Sequence, residues 1–149
     1  MLCNQTVTAQ FYDGLQVEFG KNRIQYRDFI WQYHTVGHFE IYFYQGGQEL
    51  AGAIAGIVEE TAKELTPYFG NKLEGPIQIL VYNNIAEFRQ SNLGVLSLEE
   101  EAVNIGGTAK IVGNKLFLYG RGDRAGLERD LKGGLAKIAL QQTIYSGSW

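Results

Sequence analysis

Two histidines, His34 and His38, are the first residues in this chain that could hold a metal or move a proton. On a helix, a spacing of four puts two side chains on one face and within reach of one ion. The sequence around them alternates like a strand instead, and there the same spacing separates the side chains by about 13 Å, too far for a shared metal. Cys3 is the single cysteine, which leaves no internal disulfide and no thiolate cluster for zinc. It stands in a polar N-terminal stretch and is read as incidental. No Gly-x-Ser-x-Gly elbow is present for a serine nucleophile. Gly106-Gly107 lacks the Lys-Ser/Thr of a phosphate loop and is read as a bulge or close backbone approach. Arg121-Gly122-Asp123 spells a tripeptide of adhesion ligands, but Asp123 as the N-cap of a following helix explains it. Glu40, Glu128 and Asp130, with the two histidines, would be the raw material of a hydrolase, yet no spacing joins them. The expectation is a domain with no catalytic set, no metal site and no cofactor of its own.

The elements that would position these residues follow from composition and pattern. The chain has 149 residues, 45% hydrophobic and 19% charged, which fits one globular domain with a hydrophobic core. Its net charge of −3 offers no electrostatic footprint for nucleic acid. The longest apolar candidate, Leu50 to Val58, falls well short of the roughly 18 residues that span a bilayer. Residues 1–10 are read as a flexible N-terminus, with Val7-Thr8-Ala9 resembling the cleavage site of a lost secretion signal. Residues 11–149 are read as a single domain cut from a longer protein.

Residues 11–36 mix aromatic and polar side chains and suggest an extended arm, with a strand near 29–36. Residues 38–44 alternate, with Phe39, Ile41 and Phe43 on one face and His38, Glu40, Tyr42 and Tyr44 on the other. Leu50, Ile54, Ile57, Val58, Thr61, Ala62 and Leu65 recur at helical spacing and predict a helix over 48–66, with Pro67 and Gly70 marking its exit. Gly52 and Gly56, beside Ala51 and Ala55, form a small-residue stripe that suggests close packing on a sheet. Residues 76–82 are almost continuously apolar, as a strand buried on both faces would be. A short helix over 84–91 follows, then a loop over 92–102 whose run Glu99-Glu100-Glu101 is read as solvated. Gly113-Asn114 predicts a hairpin turn between Ala109–Val112 and Lys115–Tyr119. Leu127, Leu131, Leu135 and Ile138 predict a last helix over about 124–145. The order is α+β: a mixed β-sheet packed by two long helices.

This arrangement resembles the N-terminal half of a zincin-type metallopeptidase, and more narrowly the peptidase-MA-like domain. The resemblance rests on Phe19-Gly20-Lys21-Asn22-Arg23-Ile24-Gln25-Tyr26, His38-Phe39-Glu40-Ile41-Tyr42-Phe43-Tyr44, Ile79-Leu80-Val81-Tyr82-Asn83, Gly106-Gly107, Ile111-Val112-Gly113-Asn114-Lys115 and Leu127-Glu128-Arg129. Such domains occur in Bacteroidetes envelope proteins ahead of a TolB-like, WD-repeat-like β-propeller. In the peptidases the last helix carries His-Glu-x-x-His, whose histidines bind zinc and whose glutamate is the general base. The matching register here reads Gly133-Gly134-Leu135-Ala136-Lys137, so both ligands and the base are missing. Glycine has no side chain, and a protonated lysine cannot ligate zinc.

The resemblance therefore implies a pseudopeptidase: a non-catalytic structural or protein-interaction domain of a larger periplasmic or outer-membrane-associated protein. Its partners would be its own downstream propeller or other envelope proteins. Tyr42, Tyr44, Tyr82 and Tyr119 are candidates for an exposed contact surface. The alternative is a peptide- or glycan-binding module using the inherited cleft, with residues 103–112 as the sheet edge. Gly133 and Gly134 together cost the helix about 1–2 kcal/mol relative to alanine, and close approach of another backbone is the expected compensation.

Overall fold

A computed structural model describes residues 28–69, 75–90 and 110–146 of the chain. The N-terminal readings (Cys3, Val7-Thr8-Ala9 and the aromatic arm before residue 28), the helix exit at Gly70, Glu99-Glu100-Glu101 and Gly106-Gly107 lie outside the described residues. The observed architecture is α+β with a mixed sheet, as the element order implies. In chain order the elements are β1 (Gln32–Val36), β2 (Phe39–Phe43), α1 (Gln48–Phe69), β3 (Ile77–Tyr82), α2 (Ile85–Phe88), β4 (Lys110–Val112), β5 (Lys115–Tyr119) and α3 (Arg124–Ser146).

Among the described residues five strands form one sheet in the order β1-β2-β3-β5-β4. β2, β3 and β5 run parallel, while β1 and β4 close the two ends as antiparallel partners of β2 and β5. Each outer pair is joined by a two-residue turn that begins with a glycine at positive φ, Gly37 at 57° and Gly113 at 59°. Glycine at that place lets a tight turn follow the twist of the strands it connects. The Gly113-Asn114 turn is where the sequence puts it; the Gly37-His38 turn is a correction, because the sequence pattern places His38 in the strand over 38–44.

Alternation along the three parallel strands sends neighbouring side chains into two separate cores. Phe39, Ile41 and Phe43 of β2, Ile77, Ile79 and Val81 of β3, and Leu116 and Leu118 of β5 face one way. Ala51, Ile54, Ile57 and Val58 of α1 and Leu127, Leu131, Leu135 and Ile138 of α3 cover them. Both long helices therefore lie on the same side of the sheet. The other side holds an aromatic core of Trp31, Tyr42, Tyr44, Leu80, Tyr82, Phe88 and Phe117. The nearly continuous apolar run of β3, interrupted by Gln78, is explained by its position: it feeds both cores at once.

α1 departs from expectation in two ways. It continues through Pro67 to Phe69 rather than ending at the proline. A proline there loses the hydrogen bond to the carbonyl four residues earlier and crowds that carbonyl, but its fixed φ is compatible with a helix and only two residues follow it in α1. The expected packing of Gly52 and Gly56 on the sheet is not found. Both are exposed, and a Cβ built on either meets nothing within 4 Å. Ala51, Ile54, Ile57, Val58 and the buried Thr61 define the inward arc, and positions 52 and 56 fall outside it. Thr61 satisfies its hydroxyl by donating to the Ile57 carbonyl at 2.8 Å.

Two exposed mid-helix glycines without contacts pay backbone entropy for no packing gain. Gly52→Ala and Gly56→Ala should each raise stability by about 0.5–1 kcal/mol, read as a higher urea midpoint at unchanged slope. A lower midpoint would show that the outer face of α1 does structural work that the fold does not display.

Candidate functional site

α3 holds Gly133, Gly134 and Lys137, the positions that the sequence resemblance aligns with a zincin motif. The helix begins as the sequence predicts, with Asp123 as its N-cap: the carboxylate accepts from the Ala125 and Gly126 amides, each at 3.0 Å. Leu127, Leu131, Leu135 and Ile138 then turn into the core. That stripe fixes the rotation of the helix, and so the fate of the three motif positions. Gly133 and Lys137, one turn apart, are exposed. Gly134 is buried, and a Cβ there would lie 2.5 Å from Leu116 Cδ1 and 3.0 Å from Cδ2.

The expected close backbone approach at the two glycines needs correcting. At Gly134 the neighbour is a side chain of β5, Leu116, which is itself fully buried. At Gly133 nothing lies within 4 Å. The two adjacent glycines thus have different physical roles. One lets the helix sit down on the sheet, and the other leaves an uncompensated cost in the helix. Next to them Lys132 bridges the two long helices, with Nζ at 3.2 Å from Glu64 of α1 and 3.0 Å from Glu128 of α3. Hydrogen bonds to Glu128 and then Glu64 push its pKa up.

The remaining candidates are dispersed. His34 lies in β1 with its ring 4.6 Å from that of Phe43, while His38 is exposed in the turn that follows. That turn breaks the straight strand on which their spacing was judged. Glu40 belongs to β2, and its Oε2 accepts from the Tyr42 hydroxyl at 2.9 Å and from Gln78 Nε2 at 3.1 Å. Asp130, buried in α3, pairs with Arg121 at 3.5 Å, and Arg121 also donates to the Tyr119 hydroxyl at 2.9 Å. The Arg-Gly-Asp tripeptide is therefore tied down at both charged ends, Asp123 by capping and Arg121 by this pair. Among the described residues no three His, Cys, Asp or Glu side chains are grouped to hold a metal ion.

The tyrosines proposed as a contact surface are internal. Tyr42, Tyr44 and Tyr82 are buried and Tyr119 is half-buried, so they pack within the chain rather than face solvent. Trp31 meets Tyr44 and Tyr82 edge-on, with centroids 5.1 and 5.4 Å apart. Edge-to-face contact is a preferred geometry for aromatic pairs and adds to the value of their burial. The alternation that puts these residues on one face cannot say whether that face is wet.

The aromatic core also holds a polar pair that sequence reasoning missed. The Tyr44 hydroxyl donates to Glu87 Oε2 at 2.5 Å and accepts the Asn83 amide at 2.8 Å. Glu87 is buried, in the first turn of α2, and its own amide donates to the Asn84 side chain at 2.9 Å. The signal was present as Asn84-x-x-Glu87, the spacing of a helix N-cap and its third residue. Together these bonds tie the end of β2 to the exit of β3 and to α2. Burial, followed by the hydrogen bond to Glu87, drives the Tyr44 pKa upward. Burial, followed by the bond to Glu40, pushes Tyr42 from 10.0 up to about 12. Both phenols are thus protonated donors at neutral pH. They act as struts for carboxylates rather than as bases or nucleophiles.

Because both phenols are harder to ionise when folded, their contribution is complete below the unfolded value of 10.0; that of Tyr42 is lost as pH climbs toward 12, and that of Tyr44 only at higher pH. Urea unfolding at successive alkaline pH values should show stability falling across that window, less steeply in Tyr42→Phe. A flat profile through it would remove the buried-phenol account. The motif glycines give a second, opposed pair of outcomes. Gly133→Ala should stabilise by about 1 kcal/mol. Gly134→Ala should destabilise by about 1–3 kcal/mol, because Leu116 must leave its rotamer inside a filled core. Equal effects of the two substitutions would mean that the helix does not rest on β5 as described.

No protein-family model matches this sequence, and neither a curated protein nor a solved structure matches it.

Proposed function

We propose that this domain is a non-catalytic interaction module on a peptidase-like frame, working as part of a larger cell-envelope protein and holding that protein's downstream β-propeller or another envelope partner. The observation that carries the reading is position 134. In the zincin register it would bear the general base, and here even a Cβ would collide with Leu116. A carboxylate there would have to displace Leu116, which is fully buried in the core. The ligand positions, 133 and 137, bear glycine and lysine on one exposed face of α3. The peptidase-like frame is taken from the sequence resemblance; the sheet itself has three parallel strands between two antiparallel outer ones, with a long helix after β5.

A second reading has its own support in β4, the last strand in the sheet order among the described residues; positions 103–109 of the expected edge lie outside them. Val112 and Lys115 flank the two-residue turn, and this closing pair exchanges hydrogen bonds. Alternation then turns the Ile111 amide and carbonyl away from β5. An extended peptide could add there as a further strand. A glycan ligand has no comparable feature in its favour.

Elemental analysis of the purified protein, with a protease assay on unfolded substrates, tests the main reading. Sub-stoichiometric zinc and no cleavage are expected, and one tightly held zinc per chain with peptide hydrolysis would overturn it. A peptide array separates the two readings. Capture that is lost in Ile111→Pro, with the circular dichroism spectrum kept, would favour the peptide-binding one.

A further inference from the structure

We draw no further inference here: the strongest candidate, the exposed apolar face of the C-terminal half of α3 formed by Leu140 and Ile144, is an unpartnered helix face, and nothing in the structure shows what covers it.

Discussion

β3 is buried on both faces, and the rest of the domain is arranged around that fact. Ile77, Ile79, Leu80 and Val81 are all at or below 1% exposure. Burying side chains of this size is worth roughly 1.5–3 kcal/mol each, so the strand is a main source of the sheet's stability. Its register with β2 on one side and β5 on the other keeps the helix-facing and aromatic residues of all three strands in phase. A slip of one residue would turn Ile77, Ile79 and Val81 away from the helices and set them among the aromatic rings. The outer antiparallel strands, by contrast, add to a frame that the parallel trio already defines.

The two cores built from β3 differ in chemistry. Aliphatic packing without polar partners dominates under α1 and α3, while the opposite side mixes large rings with hydroxyl and carboxylate groups. That mixture is stable only where each polar atom is met. Tyr44 shows how this is done: one hydroxyl donates a hydrogen bond to Glu87 and accepts one from the Asn83 amide. A buried carboxylate without such a donor would be costly. The same arithmetic applies to Glu40, which is shared by Tyr42 and Gln78. Tyr42, Tyr44 and Tyr82 are therefore internal supports rather than an exposed contact surface.

α3 links fold to function. Its apolar stripe sets a rotation that presses position 134 onto β5 and leaves 133 and 137 outside. A helix seated in this way leaves no room for a side chain at position 134 without moving Leu116. The pseudopeptidase reading rests on that steric relation between Gly134 and Leu116, together with the resemblance in element order. It rests equally on glycine and lysine standing where the resemblance would place both ligands and the base.

Local pattern determined much of this protein by itself. The alternation of residues 38–44, the apolar run of 76–82, the Gly113-Asn114 turn and the stripe from Leu127 to Ile138 each name an element and the face it buries. Capping of α3 by Asp123 was legible for the same reason, since it involves neighbours a few residues apart. Tertiary structure decided the remainder. Gly52 and Gly56 look like a packing stripe until the arc facing the sheet is known. Tyr42, Tyr44 and Tyr82 look like a surface until their face proves to be a second core. Gly133 and Gly134 are chemically identical, and only the position of Leu116 on β5 separates them. Periodicity reports which side chains share a face, whereas what meets that face is set by residues distant in the chain.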